Sequence, residues 1–373
     1  MIVGQHHAFA EHEGGSRVGV YTNTLWDGQS AGIACTGGSL YQHDMTLSIS
    51  LACARYDRTA ALFDGRLGIE GCDVTAVALE PEELFHRAFS TQDFDVTELS
   101  MSSTLIQTVR GTCPYVAIPA FVSRLFRHSA FYIRIDRGIS KPEDLKGKTL
   151  GVPEYQMTAA LWARGILADE YGVAASDITW RTGGMEQPGR RERTPLTLPP
   201  SIDCKPIADG ATLSGMLARG ELDGIVAARA PSCFGDGTPN IARLFPDYRR
   251  AEEAYFRKAG MFPIMHLIGI RRSLVERHPW LPASVYKAFV LAKRLCLEDL
   301  RNIGHLHAML PWLVNEVEAA QALMGKDYWR YGVAENAREI EAMIRYSHAQ
   351  GLIERTIAPR ELFAAATVDT AKI

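Results

Sequence analysis

The chain has 373 residues, 47% of them hydrophobic, and a formal net charge of −3 at pH 7. Its 40 Lys and Arg residues nearly balance its 43 Asp and Glu residues, which argues against a nucleic-acid-binding protein. No run of 18 apolar residues occurs, which argues against a membrane span. The seven cysteines are widely spaced without a CxxC motif, so neither a disulfide framework nor a zinc ribbon is expected.

The first 44 residues differ from the rest of the chain. They are rich in Gly, His, Ser and Thr and show no helical or strand period. We expect residues 1–44 to be disordered, or to be a misread leader before a true start at Met45. The segment lacks the basic start and continuous apolar centre of a signal peptide, so a cytoplasmic protein is expected.

From Met45 onward, strand and helix patterns alternate, which is typical of an α/β fold. The length is sufficient for two domains. The predicted strands are Leu47–Ala54, Val74–Leu79, Val96–Leu99, Tyr115–Ala120, Phe131–Ile135, Thr149–Val152, Ile178–Arg181, Gly224–Ala228 and Ile264–Ile270. The predicted helices are Glu82–Ser90, Ser103–Arg110, Thr158–Tyr171, Leu213–Arg219, Ser284–Leu300, Val314–Leu323 and Asn336–His348. The aperiodic, Arg-rich stretch from Trp180 to Pro206 predicts a surface loop or flap.

Three strand-to-helix loops predict an anion site. The clearest lies in KPEDLKGKTLGVPEYQ, residues 141–156, where a strand ends in a polar loop that opens a helix. Similar loops follow the strands at 47–54 and 96–99. A helix N-terminus presents free backbone N–H groups and the positive end of the helix dipole. Together these loops favour binding of a carboxylate or phosphate.

Two segments resemble the type II periplasmic-binding-protein fold. They are DRGISKPEDLKGKTLGVPEYQMTAALWARGILADEYGV (136–173) and LSGMLARGELDGIVAARAP (213–231). The resemblance implies two α/β lobes with a ligand cleft between them and a helix-rich C-terminal third. Lobe I is then expected at 45–123 plus 267–373, and lobe II at 124–266.

Three further segments resemble the 4,5-dihydroxyphthalate decarboxylase family. They are SLACARYDRTAALFDGRLGIEGCDVTAV, FDVTELSMSSTL and AIPAFVSRLFRHSAFYIR. The resemblance implies a cytoplasmic carboxy-lyase of phthalate degradation, which converts 4,5-dihydroxyphthalate to protocatechuate and carbon dioxide. We expect an aromatic dicarboxylate as the ligand, a homo-oligomer, and no nucleic-acid or membrane partner. The alternative is a non-catalytic solute-binding protein for an aromatic acid.

A substrate with two adjacent carboxylates needs several cations, and Arg binds carboxylates through a bidentate fork. Ser102 and Ser103 are candidates at a helix start, although they can equally be simple helix caps, and Asp57 can likewise be an N-cap. The predicted substrate-binding set is Arg55, Tyr56, Asp57, Ser102, Ser103, Arg124, Arg127, Tyr155 and Arg229.

Decarboxylation of an electron-rich ring requires a proton donor at the ring carbon and a base near the catechol. We favour His128 and His266 for these roles, with Glu98 and Glu154 as carboxylate alternatives. No cofactor is expected. A divalent metal held by these four residues is the mechanistic alternative, although no metal-binding spacing such as HExxH occurs.

Overall fold

The computed structural model describes residues 46–369, so the predicted leader at 1–44 lies outside the described residues. The strands are β1 (Leu47–Cys53), β2 (Cys72–Ala78), β3 (Val96–Ser100), β4 (Tyr115–Arg124), β5 (Phe131–Arg134), β6 (Thr149–Val152), β7 (Thr179–Thr182), β8 (Cys204–Pro206), β9 (Gly224–Val226), β10 (Ile241–Arg243) and β11 (Ile264–Arg271). The helices are α1 (Ala60–Phe63), α2 (Pro81–Ser90), α3 (Met101–Val109), α4 (Thr158–Tyr171), α5 (Leu213–Arg219), α6 (Ser232–Gly235), α7 (Tyr248–Ala259), α8 (Arg272–Arg277), α9 (Leu281–Arg301), α10 (Leu313–Met324) and α11 (Ala337–Ala349).

The strands form two mixed sheets. The first has the order β2-β1-β3-β11-β4, and the second has the order β10-β5-β9-β6-β7-β8. The chain leaves the first sheet after β4 and returns to it in β11, which runs antiparallel to both β3 and β4. This arrangement of two mixed sheets with flanking helices confirms the predicted two-lobed α/β class. The lobe boundaries stay a prediction, and the one placed between residues 266 and 267 falls inside β11.

The predicted elements agree closely with the observed ones. The bounds of β6, α4 and α5 match the prediction residue for residue. Strands β8 and β10, of three residues each, were not predicted. Helix α7 was missed because half of its residues are charged and Tyr255 is its one buried residue. None of the helices within residues 46–369 has the length and apolarity needed to cross a bilayer.

Strand β3 lies at the centre of the first sheet, and all five of its residues are buried. A strand buried on both faces normally carries apolar side chains only. Glu98 interrupts that pattern, so its carboxylate must find partners inside the protein. Those partners lie beside the candidate site.

Helix α4 is buried from Thr158 through Leu167, because the C-terminal helix α11 covers the face that the sheet does not. Tyr346 of α11 lies against Trp162, with 5.6 Å between the ring centroids. Gly165 permits this approach, since a Cβ there would lie 2.3 Å from the Tyr346 ring. Asp169 pairs with Arg345 at 2.6 Å. These contacts hold α4 in place and so position its N-terminus.

Candidate functional site

A cavity of about 210 Å³ lies between residues carried by the two sheets. The first sheet contributes the starts of α2 and α3 and part of β11. The second contributes the β6–α4 loop and the residues after β9. Lining side chains used below are Glu82, Phe85, Ser100, Ser103, Arg127, Glu154, Gln156, Thr158, Arg193, Arg229, Met265 and His266.

Two helix N-termini meet at this cavity. Ser100 caps α3, and its Oγ lies 3.0 Å from the Thr158 Oγ1 at the start of α4. The Ser103 hydroxyl donates to Gln156 Oε1 at 2.7 Å. Helix α4 itself begins without a side-chain cap. Both positive dipole ends therefore favour an anion in the cavity, as the strand-to-helix loops predicted.

The buried Glu98 carboxylate is satisfied by two neighbouring segments, the loop after β1 and strand β11. Its Oε1 accepts a hydrogen bond from the Tyr56 hydroxyl at 2.7 Å and lies 2.6 Å from His266 Nδ1. Its Oε2 accepts from the Ala54 amide at 2.8 Å. Burial alone raises the pKa of Glu98, but the hydrogen bond and charge interaction with His266, together with the bonds from Ala54 and Tyr56, outweigh burial and hold the pKa below its ordinary value. Glu98 is therefore a carboxylate, to which His266 donates its Nδ1–H.

This geometry leaves Nε2 of His266 as the ring nitrogen available to the cavity. Pairing of β11 with β4 is irregular on both sides of His266. Consecutive strand residues normally face opposite sides, yet Met265 and His266 both line the cavity. A bulge of this kind re-aims a side chain, here the imidazole, toward the ligand space. The ring is also held by Phe85, whose centroid lies 4.8 Å away in an edge-on contact.

Arg127 supplies a buried cation at the cavity wall, and 6% of the residue is exposed. Its Nη2 and Nε contact the Met265 thioether at 2.7 and 3.1 Å. Burial lowers the pKa of Arg127 to about 10, so it is charged at neutral pH. Glu252 interacts with this cation through charge, but the direct contact of the guanidinium is a thioether, so an incoming carboxylate would compensate it better.

The structure corrects the catalytic assignment of His128. The side chain is 1% exposed and packs edge-on against Phe245, with 5.1 Å between the centroids. Neither ring nitrogen has a hydrogen-bond partner among the described residues. Burial lowers the pKa of His128 to about 4, so the ring is neutral. The residue turns away from the cavity in the short 3₁₀ turn His128–Ala130 and serves packing.

Glu154 reaches the cavity, but its carboxylate is fully occupied. Arg190 Nη2 and Nε donate to Oε1 at 2.6 and 2.9 Å, while Gln156 Nε2 and the Arg193 amide donate to Oε2 at 2.8 and 3.2 Å. These bonds leave no lone pair placed for a proton or a metal. Its assignment as acid or base is thereby corrected to a structural anchor for the 183–203 segment.

Two of the four predicted arginines lie outside the carboxylate site. Arg124 is buried, donates to the Phe262 and Arg330 carbonyls at 2.7 Å each and pairs with Glu339 at 3.7 Å, so it ties the crossover to the C-terminal helices. Arg55 is exposed on the loop after β1 and does not line the cavity.

Arg229 reaches only the rim, because its side chain is 72% exposed and pairs with Glu80 at 3.4 Å.

The remaining predicted residues divide between support and surface. Tyr56 holds Glu98, and Asp57 is exposed and pairs with Arg58 at 3.0 Å. Ser102 is buried, and its amide donates to Thr158 Oγ1 at 3.1 Å.

Tyr155 is a core residue, with its ring 3.8 Å from the buried Arg164 guanidinium. Its side chain, like that of Ser102, is fully buried and does not line the cavity.

The four residues considered for a metal do not form one donor set. Glu98 and His266 are adjacent, Glu154 is saturated by arginine, and His128 lies in an apolar pocket. Within residues 46–369 no group of three or more His, Cys, Asp or Glu side chains is arranged to hold a metal ion.

Sequence reasoning missed several lining residues. Ser100, Gln156 and Thr158 flank the loops that it did identify. Arg193 lies in the Arg-rich segment predicted as a flap, and the run of arginines was the signal that pointed there. Its place in the cavity wall follows from contacts across the two lobes.

No protein-family model matches the chain. Among solved structures, it is similar to the periplasmic aliphatic sulphonate binding protein SsuA from Escherichia coli, at 10% identity and a TM-score of 0.47, over 85% of this chain and 97% of that one. It is also similar to the desulfurization enzyme DSZB, at 13% identity and a TM-score of 0.45, over 85% of this chain and 96% of that one.

Two curated relatives are much more similar in sequence. A 4,5-dihydroxyphthalate decarboxylase of Pseudomonas putida is 47% identical over 211 residues, 57% of this chain and 82% of the relative. A 4,5-dihydroxyphthalate decarboxylase of Comamonas testosteroni is 46% identical over 327 residues, 88% of this chain and 99% of the relative. At this identity and coverage, the chain belongs to the 4,5-dihydroxyphthalate decarboxylase family.

Proposed function

We propose that this chain removes one carboxylate from 4,5-dihydroxyphthalate, giving protocatechuate and carbon dioxide. Family membership supports the choice of reaction. The observation that carries the proposal is the placement of His266, backed by the buried Glu98, in the same cavity as Arg127. One group delivers a proton and the other neutralises a carboxylate, and the proposed reaction uses both.

In the proposed mechanism, Nε2 of His266 donates its proton to the ring carbon that bears the leaving carboxylate. The hydroxyl para to that carbon stabilises the positive charge that develops on the ring. The bond to the carboxylate then breaks, its electron pair restores the aromatic ring, and carbon dioxide leaves. The dianion takes up one proton in total and becomes a monoanion. His266 is reprotonated from solvent, and Glu98 keeps its ring oriented throughout.

The cavity suits a flat dianion. Arg127 and the N-termini of α3 and α4 provide positive potential, while Phe85 and Met265 provide apolar surface for the ring. Holding the ring carbon over a single imidazole makes proton transfer intramolecular. Since the ring hydroxyls themselves supply electrons, the proposed reaction uses no cofactor.

Incubation of the purified protein with 4,5-dihydroxyphthalate tests the proposal, with protocatechuate measured by chromatography. We expect conversion without added cofactor, at a rate that a metal chelator leaves unchanged. A His266→Gln variant is expected to bind the compound and to convert it more slowly, by roughly 10²-fold or more. Tight binding by the unmodified protein with no release of carbon dioxide would instead identify a solute-binding protein.

We also propose that the protein works in the cytoplasm as a homo-oligomer. Six cysteines of the described part of the chain are free thiols, which suits a reducing compartment. Ile303, Met309 and Trp312 form an exposed apolar segment between α9 and α10, a feature of protein interfaces. Cell fractionation tests the compartment, and light scattering of the purified protein tests the assembly.

A further inference from the structure

The segment between β7 and β8, residues 183–203, brings two arginines to the same pair of carboxylates. Arg190 is fully engaged: Nε and Nη2 donate to Glu154 Oε1 at 2.9 and 2.6 Å, and Nη1 donates to Glu82 Oε2 at 3.1 Å. Glu82 belongs to α2 beside the first sheet, and Glu154 follows β6 of the second. Arg190 therefore ties the two lobes together.

Arg193 contacts the same two carboxylates but is incompletely engaged. Its Nε lies 3.1 Å from Glu154 Oε1, while its Nη2 lies 3.7 Å from Glu82 Oε2. The second separation is longer than a hydrogen bond. Glu82 has 49% of its side chain exposed, so this pair is solvated and weak. The outer edge of the Arg193 guanidinium is consequently available to a stronger acceptor.

Arg193 also differs from Arg190 in what it faces. Arg193 lines the same cavity as Arg127 and His266. Arg190 lines the adjoining groove formed with residues 184–189. The cavity wall thus carries Arg127 from the crossover after β4 and Arg193 from the 183–203 segment. Two separate cations on one small cavity match two carboxylates on one ligand.

We propose that Arg193 selects a 1,2-dicarboxylate over a monocarboxylate by exchanging its contact with Glu82 for the ligand's second carboxylate. Arg127 holds the first carboxylate. The Nε contact with Glu154 keeps Arg193 oriented during the exchange, so little ordering is needed when the ligand binds. A charge-assisted bond inside the cavity is stronger than the solvated pair that it replaces. This inference deepens the proposed function and rests on it for the identity of the natural ligand.

The exchange also bears on product release. Decarboxylation leaves a monocarboxylate, which can engage only one of the two arginines. Arg193 then returns to Glu82, and the product is held less tightly than the substrate. Discrimination between one and two carboxylates is therefore the measurable signature of Arg193.

Calorimetric titration with phthalate and benzoate tests the inference, because both lack the hydroxyls that the reaction needs and differ by one carboxylate. We expect the unmodified protein to prefer phthalate by roughly 30-fold or more, the scale of one buried charge contact. Arg193→Met is expected to bring this ratio to within about threefold, through weaker phthalate binding with benzoate affinity unchanged.

Arg190→Met is the matched control. It also removes one positive charge from residues 183–203, and Arg190 contacts the same two glutamates as Arg193. This variant is expected to keep the preference of the unmodified protein for phthalate. Glu82→Gln frees Arg193 and is expected to increase the preference for phthalate. Thermal unfolding of each variant confirms that it is folded, and Arg193→Lys serves as a second variant should Arg193→Met unfold.

Three outcomes would overturn the inference. The unmodified protein shows no preference for phthalate over benzoate, Arg193→Met keeps that preference, or Arg190→Met loses it as fully as Arg193→Met does. Turnover of 4,5-dihydroxyphthalate is measured separately. If the protein turns over 4,5-dihydroxyphthalate and Arg193→Met keeps the phthalate-to-benzoate affinity ratio, only the role of Arg193 is contradicted. If Arg193→Met loses that affinity ratio but the unmodified protein releases no carbon dioxide, only the proposed reaction is contradicted.

Discussion

His266 Nδ1 lies 2.6 Å from Glu98 Oε1, although the two residues are 168 positions apart in the sequence. They lie on neighbouring antiparallel strands, β11 and β3. In the register of β11 and β3, Ile268 faces Glu98 directly and His266 faces Ser100. Glu98 and His266 are thus diagonal neighbours, a relationship that allows side-chain contact. Because Glu98 is ionised and buried, it fixes both the tautomer and the direction of the imidazole.

The first prediction concerns this pair. His266→Gln should lower kcat by roughly 10²-fold or more with little change in substrate affinity, since a general acid is lost. Glu98→Gln should lower kcat by a similar factor, because an amide no longer holds the imidazole as the carboxylate does. Steady-state kinetics with a binding titration separates the two effects. Values of kcat within threefold of the unmodified protein for both variants would show that the pair has no catalytic role.

The second prediction concerns the carboxylate contact of Arg127. Arg127→Met should cost about 2–4 kcal/mol of transition-state stabilisation, seen in kcat/KM, since a buried charge contact is lost. Arg55→Met is the control, because Arg55 is exposed on a loop that does not line the cavity. Equal changes in kcat/KM for the two substitutions would contradict this role of Arg127.

The third prediction treats His128 as a packing residue. Burial lowers its pKa to about 4, whereas the unfolded chain binds the proton near the ordinary value of 6.5. Between these values only the unfolded state is protonated, so the free energy of unfolding falls as the pH falls through that window. The loss amounts to at most about 3 kcal/mol.

His128→Phe preserves the aromatic packing and should remove this acid sensitivity while leaving kcat unchanged. Denaturant unfolding at pH 7 and pH 4.5 measures the first effect, and turnover measures the second. A large loss of kcat in a folded His128→Phe protein would restore His128 as a catalytic candidate.

The fourth prediction concerns Glu192, whose carboxylate accepts the Tyr155 and Gln156 amides at the entry to α4. Burial raises the pKa of Glu192 from 4.5 to about 7. Between these values the folded chain keeps a proton that the unfolded chain has lost. The contribution of Glu192 to the free energy of unfolding therefore decreases as the pH rises through this window.

Glu192→Gln removes the titration and keeps an amide oxygen as acceptor. The free energy of unfolding of Glu192→Gln minus that of the unmodified protein should rise between pH 4.5 and 7. Above pH 7 this difference should stay constant. Parallel denaturant titrations at pH 5 and pH 8 give this difference. A difference that is independent of pH, or that falls with rising pH, is the contrary outcome.

Local patterns in the sequence were enough to predict the α/β class and part of the site, whereas the two lobes were predicted from the family resemblance. The loop at 141–156 predicted the uncapped N-terminus of α4, and the buried TELS segment placed Glu98 beside a helix start. His266 was predicted from its strand, but its contact with Glu98 depends on the register of β11. That register is a long-range property, which no local pattern encodes.

The errors have the same physical origin. His128 follows two arginines at the crossover, but a 3₁₀ turn directs its ring into an apolar pocket. Arg124 and Arg127 are three residues apart, yet one binds backbone carbonyls and the other faces the cavity. Arg193 was indistinguishable from its neighbours in an aperiodic, Arg-rich segment. Side-chain direction in such segments is set by tertiary contacts.

The proposed reaction has an isotopic signature. Turnover of 4,5-dihydroxyphthalate in D₂O, followed by NMR, should give protocatechuate with one deuterium at the ring carbon ortho to the remaining carboxylate. Carbon dioxide should be released in equal amount, and His266→Gln should slow both. Protocatechuate kept in D₂O without protein should gain no deuterium over the same time. Binding without carbon dioxide release, or deuterated product formed at an unchanged rate by His266→Gln, would contradict the proposed role of His266.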